Sequence, residues 1–147
     1  MAYTKDIGLL KIEGVNIGYK PGVLSNLATA ISNMGINIKS VITAQTCINI
    51  IVEKDDLEAC YKLLKKMHPS AVDEIETKDD VALMAIVGEG MATTGGLAAR
   101  VLTALAQENI NLSMISYGAS KVAFYLIVES QYLEKAIRAI HREFFKE

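Results

Sequence analysis

The sequence predicts an α+β protein in which one small βαββαβ module is used twice. Residues 7–67 and 81–141 align on each other about 74 positions apart, laying Gly14 on Gly88, Gly22 on Gly96 and Ile36-Asn37-Ile38 on Ile110-Asn111-Leu112. After a short slip, Val52-Glu53 also falls on Val128-Glu129. Within each copy the apolar residues change period in the same order, from short strand-like runs to the i, i+3, i+4 spacing of a helix. Gly and Pro punctuate these changes at matching places. Two copies are too few and too long for a solenoid, so the repeat implies two similar subdomains.

In the first copy, Ile7 to Ile12 is a short apolar run that reads as a strand. Val23, Leu24, Leu27, Ile31 and Met34 then recur at helical spacing until Gly35 closes the helix. Pro21 is placed at its start, where a missing N–H is not needed. Ile36, Ile38, Val41 and Ile42 give a second strand and Ile48 to Val52 a third, separated by the polar stretch Thr43 to Cys47. Asp55 and Glu58 have the spacing of a capping box for a helix carrying Leu57, Tyr61, Leu64 and Met67, which Pro69 ends. Ala71 to Thr77 supplies a fourth strand. The order strand, helix, strand, strand, helix, strand is that of the ferredoxin-like arrangement, with antiparallel sheets and helices on one face.

The second copy repeats this order: a strand at Val81 to Val87, a Gly-rich bend, a helix from Leu97 to Glu108, strands at Ile110 to Ile115 and Val122 to Val128, and a helix from Tyr132 to Phe145. The first module is assigned to residues 7–78 and the second to residues 79–147. The second lacks a fourth strand of its own, whereas residues 1–6 precede the first module with no place in it. These residues are expected to complete the second sheet, so that the modules interleave.

The 147 residues carry a formal net charge of −2, with 15 Lys and Arg interspersed among 17 Asp and Glu. No basic field is present to attract nucleic acid or an acidic membrane surface. The longest clean apolar run, Val81 to Val87, is far below the ~20 residues needed to span a bilayer as a helix. A cytoplasmic protein is expected. Cys47 and Cys60, with His68 and His141, show no zinc-ligand spacing, so free thiols and no metal are expected.

Two stretches imitate enzyme motifs. Gly88-Glu89-Gly90-Met91-Ala92-Thr93 follows a strand and precedes a helix, as a dinucleotide-binding turn would. The place of the third glycine is taken by Thr93, and the next strand ends in Ile115-Ser116 without the acid that holds a ribose. Tyr117 and Lys121 have the Tyr-x-x-x-Lys spacing of short-chain dehydrogenases, where a helix puts both on one face. Here they lead into the strand-like run Val122 to Val128, and there is no room upstream for a nucleotide-binding unit. No nucleophile, base and orienting acid are singled out together. No catalytic residue and no cofactor are assigned.

What remains is backbone chemistry. The bends Asn16 to Gly22 and Met91 to Gly96 each end at a helix start, where unpaired N–H groups and the helix dipole favour a carboxylate. Glycine lets a ligand approach the main chain closely. The same glycines also serve simply to make turns, so two readings stand side by side: a ligand-binding module and a purely structural dimerisation module.

Lys20-Pro21-Gly22-Val23-Leu24, Met34-Gly35-Ile36-Asn37-Ile38, Val87-Gly88-Glu89-Gly90-Met91 and Ile110-Asn111-Leu112-Ser113-Met114-Ile115-Ser116-Tyr117-Gly118-Ala119-Ser120 together resemble the paired ACT domains at the C-terminus of aspartokinases. The likeness covers nearly the whole chain. It implies a regulatory pair that binds an amino-acid end product of the aspartate family, forms a homodimer through its ACT sheets, and acts on an aspartokinase catalytic domain or subunit. No kinase domain or phosphate-binding glycine loop lies in the chain, so no aspartate phosphorylation is expected of it alone.

Carried over position by position, the resemblance places the effector on the bend of the first module, at Asn16, Gly18, Tyr19, Lys20, Pro21, Gly22, Val23 and Leu24. Its second strand adds Lys39, Thr43 and Gln45, and main chain at Asn111 and Leu112 of a facing module completes the pocket. Backbone N–H groups would take the effector carboxylate, and acidic or carbonyl oxygens its ammonium. Lys39 stands where lysine-binding relatives often present an aspartate, and a cation there repels an ammonium. Thr43 and Tyr117 stand where threonine-sensitive relatives tend to carry glutamine, although Gln45 lies close by. Threonine is therefore favoured over lysine. In the second module Lys121 and Ala123 replace an acid and an asparagine, which implies a scaffold role there.

Overall fold

The computed structural model describes residues 1–87, 96–116 and 123–144. Their elements run β1 (Ala2–Thr4), β2 (Ile7–Glu13), α1 (Val23–Asn33), β3 (Ile38–Thr43), β4 (Cys47–Glu53), α2 (Leu57–Met67), β5 (Glu74–Lys78), β6 (Val81–Val87), α3 (Leu97–Gln107), β7 (Leu112–Ser116), β8 (Ala123–Glu129) and α4 (Leu133–Phe144). The chain divides into two compact units, residues 6–79 and residues 1–5 with 80–147. Each contains a four-stranded antiparallel sheet, ordered β3-β4-β2-β5 in one and β7-β8-β6-β1 in the other.

In the first unit, alternation along β2 and β4 puts Leu10, Ile12, Ile48, Ile50 and Val52 on one face of the sheet. They pack there against Val23, Leu27 and Ile31 of α1 and Leu57, Cys60 and Leu64 of α2. The helical residues are three or four apart, so each helix presents one apolar stripe to the sheet. Burying a side chain such as Leu27, wholly inaccessible here, contributes about 1.5–3 kcal/mol. The second unit repeats the plan: Ala82, Met84, Ile86, Phe124, Leu126 and Val128 face Leu97, Val101 and Leu105 of α3 and Leu133, Ala136 and Ile140 of α4.

The duplication extends to irregularities. Register shifts at Ile38/Ser40 in β3 and at Leu112/Met114 in β7 place a bulge at Lys39 in one copy and at Ser113 in the other. Left-handed backbone occurs at Gly22 (φ 85) and Gly96 (φ 76) before α1 and α3, and at Gly35 (φ 77) and Asn109 (φ 58) after them. Asparagine tolerates that conformation better than most non-glycine residues, which lets Asn109 stand where the first copy has Gly35. In the second sheet the edge beside β6 is filled by β1, through Ala2–Ala85, Tyr3–Met84 and Thr4–Leu83. The first sheet fills that edge with its own β5.

Several boundaries differ from the sequence reading. Helix α1 begins at Val23, with Gly22 in left-handed conformation as its N-cap, so Pro21 lies in the bend and not in the first turn. No capping box forms at Asp55 and Glu58: Lys54–Asp56 make a 3-10 turn, α2 begins at Leu57, and no side chain caps it. Strand β3 starts at Ile38 and not at Ile36, with its bulge inside the strand at Lys39. The fourth strand starts at Glu74 because residues 69–73 are occupied by a loop with left-handed backbone at Ala71 (φ 70). Cys60 is buried and Cys47 half-buried, both as free thiols. Among the described residues, no helix is long and apolar enough to cross a membrane.

Candidate functional site

The bend between β2 and α1 is built by close backbone approach. Gly14 donates its N–H to the Thr46 carbonyl at 2.9 Å, and Gly18 donates to the Gln45 carbonyl at 2.8 Å. These two bonds fasten the bend to the turn between β3 and β4. Residues Ile17–Tyr19 form one 3-10 turn, anchored by the buried Ile17, while Asn16, Gly18, Tyr19, Lys20, Pro21 and Gly22 remain at the surface. A Cβ on Gly18 would stand 2.6 Å from Gln45 Cδ and Nε2, and 2.7 Å from its carbonyl oxygen. Only glycine fits that approach.

The bend delivers the chain to an uncapped helix start. Asn26 makes the first intrahelical bond, to the Gly22 carbonyl at 2.9 Å, so the N–H groups of Val23, Leu24 and Ser25 precede the helical ladder. No side chain caps them, and no acid lies in the first turn to oppose an incoming anion. Val23 is turned into the core, whereas Leu24 is exposed at the mouth of the helix. The arrangement suits a carboxylate.

Of the second-strand residues, Thr43 and Gln45 lie at this end of the sheet. Thr43 pairs with Ile48, which faces the helices, so Thr43 shares the side on which α1 packs. Lys39 is at the opposite end of β3, about 13 Å from Thr43 at ~3.3 Å per residue. Its ammonium is 3.0 Å from Glu53 Oε1, and β2 pairs Glu53 with Ile7 at the end remote from Gly14. The unit therefore gathers Asn16 to Leu24 with Thr43 and Gln45, but does not bring Lys39 to the bend. Both partners of the Lys39–Glu53 pair are partly exposed, which limits its contribution to about 0–1 kcal/mol.

Asn111 and Leu112 belong to the other unit. Asn111 is exposed just before β7, and Leu112 is half-buried against the core of that unit. The Gly88 to Thr93 turn and the Tyr117–Lys121 pair lie outside the described residues. Among the described residues, no group of three or more His, Cys, Asp or Glu side chains is placed to hold a metal ion.

The sequence reading missed what supports the bend from behind. Asp73 Oδ2 accepts the Val15 N–H at 3.2 Å, the Asp73 N–H donates to the Glu13 carbonyl at 2.8 Å, and Lys20 Nζ donates to Ser70 Oγ. These partners lie 50 or more residues apart, and no local pattern announces them. A cleft of about 430 Å³ opens beside them, lined by Glu13, Gly14, Val15, Thr46, Cys47, Asp73 and Glu74.

Comparison with known proteins gives one consistent neighbourhood. The family model described as ACT domain matches residues 84–144. The aspartate kinase of Pseudomonas fluorescens is 31% identical over 98% of this chain and 35% of its own length. The crystal structure of aspartokinase alpha and beta subunits superimposes with a TM-score of 0.87 at 28% identity, covering 97% of this chain and 95% of that one. The ligand-free regulatory subunit of aspartate kinase from Thermus thermophilus superimposes with a TM-score of 0.86 at 26% identity, again covering 97% and 95%. The chain spans between 16% and 35% of the length of the curated relatives it matches.

Proposed function

Since the chain is a tandem ACT pair resembling the C-terminal regulatory region of aspartokinases, we propose that it is an amino-acid sensor whose effector carboxylate sits on the bend of residues 16–24. The observation that carries this reading is the uncapped start of α1 behind left-handed Gly22, beside which a Cβ would meet nothing within 4 Å. The N–H groups of Val23, Leu24 and Ser25 would receive the carboxylate, while Thr43 and Gln45 supply polar atoms for the rest of a small amino acid. Main chain at Asn111 and Leu112 enters as the contribution of a facing module.

Threonine is preferred to lysine as effector. Strand β3 reads Ile-Lys-Ser-Val-Ile-Thr and holds no carboxylate for a second ammonium. Lys39 lies at the far end of β3 and is paired with Glu53, so the preference rests on the missing carboxylate and not on repulsion by Lys39. Regulation follows if the effector binds one arrangement of the modules better than another, since equal affinity for both shifts nothing. The proposed assembly is a cytoplasmic homodimer through the ACT sheets, acting on an aspartokinase catalytic domain or subunit.

Calorimetric titration of the chain with L-threonine, L-lysine and L-methionine in metal-free buffer tests the reading. Saturable binding of L-threonine, tighter than that of L-lysine, supports it. Silence across the three amino acids with a dimer still present favours the alternative, a dimerisation module without a ligand site.

A further inference from the structure

We infer that Asp73 is a positioning residue for the effector bend, and that the loop of residues 68–73 between α2 and β5 is the clamp that sets the bend's shape. The inference deepens the proposed function and rests on it for the ligand, but its structural basis is separate. Three residues of the loop, Ser70, Ala71 and Asp73, engage the bend. Asp73 grips the root of the bend twice, its carboxylate accepting from Val15 and its N–H donating to the Glu13 carbonyl. Ser70 receives the Lys20 ammonium at the far side of the bend. Between them the Ala71 carbonyl presses on Gly14 so closely that a Cβ at Gly14 would overlap it.

The backbone of the loop is held against its own preference. His68 (φ 49) is the left-handed residue that ends α2, whereas Ala71 (φ 70) adopts a left-handed conformation that alanine rarely occupies. Such conformations persist where surrounding contacts impose them. Here Ala71 is held between the core of the first unit, against which it packs, and Gly14 of the bend, which its carbonyl meets. The loop and the bend thus determine each other: freeing one lets the other relax. Because the bend ends at Gly22, a change in its path moves the Val23 and Leu24 amides that would receive a carboxylate. Asp73 touches no effector in this account and acts through Val15.

Asp73→Ala removes the acceptor, and Asp73→Asn restores one through its amide oxygen. The Asp73→Ala chain is expected to exchange its Gly14 and Gly18 amide hydrogens at least tenfold faster than wild type, with exchange in α3 and α4 unchanged; Asp73→Asn is expected to return both sites to within threefold. In calorimetry with L-threonine, Asp73→Ala should bind at least tenfold more weakly and Asp73→Asn within threefold. Unchanged exchange at Gly14 and Gly18 in a folded Asp73→Ala chain overturns the clamp. Faster exchange with unaltered L-threonine affinity overturns its role in positioning the bend for ligand. A wild-type chain that binds no L-threonine refutes the proposed effector, while amide exchange still decides whether Asp73 holds the bend.

Discussion

Gly18 and Gln45 meet at the tip of the first sheet so closely that the Gly18 amide donates to the Gln45 carbonyl at 2.8 Å while the Gln45 side chain lies over the position a Cβ would take. Gly18→Ala should therefore force the bend away from the β3–β4 turn and not merely shift a flexible side chain, because the carbonyl oxygen is also in the way. A loss of about 1–3 kcal/mol is expected from the overpacking. Denaturant unfolding measures it, and calorimetry should register a weakened L-threonine affinity in the same variant. Full stability with full affinity would contradict this description of the bend.

Removal of residues 1–6 should destabilise the second unit, whose sheet would lose β1 and expose the backbone of Leu83 to Ala85 as an edge. A fall in melting temperature of at least ~3 °C is expected for a loss near ~1 kcal/mol. An unchanged melt would mean that β1 contributes nothing to that sheet.

The Cys60 thiol pKa is raised, first by burial and further by the nearby Asp56 carboxylate. The unfolded chain, with a thiol near ~8.5, then gives up its proton before the native one does. The resulting stability is whole below that pH and is lost as pH rises through the native value. Unfolding free energies measured from pH 7 to 10 should decline more steeply for wild type than for Cys60→Ala, after allowing for the variant's lower baseline. The half-buried Cys47 should react with a thiol reagent first, with Cys60 protected until the chain unfolds.

Much of this architecture is legible in the chain because each copy repeats the same change of period, and the match of Gly22 with Gly96 marks both helix starts. The boundaries were less legible. Left-handed Gly22 moves the start of α1 past Pro21, and the 3-10 turn at Lys54–Asp56 displaces the box read at Asp55 and Glu58. The bend could be read as a candidate carboxylate seat from its glycines and its place before a helix. The support from Asp73 and Ser70 could not, because it depends on where β5 returns beside β2. Pairing of Lys39 with Glu53 likewise appears only when β3 and β4 are laid side by side.

Lys39→Asp gives β3 the carboxylate it lacks and sets it near Glu53. Breaking the partly exposed pair and creating a like-charge neighbour should lower stability by about 1 kcal/mol. The ratio of L-lysine to L-threonine affinity should change less than about twofold, because Lys39 lies at the end of β3 remote from the bend. A clear rise of the ratio in parallel calorimetric titrations would place Lys39 at the effector and contradict the seat at the start of α1.

The most direct test of the central claim is an amide chemical-shift map of the nitrogen-15-labelled chain titrated with L-threonine. Saturable shifts are expected at Gly18, Val23, Leu24 and Gln45. Absence of shifts at these amides up to millimolar effector, or shifts confined to the second unit, would contradict a carboxylate seat at the start of α1.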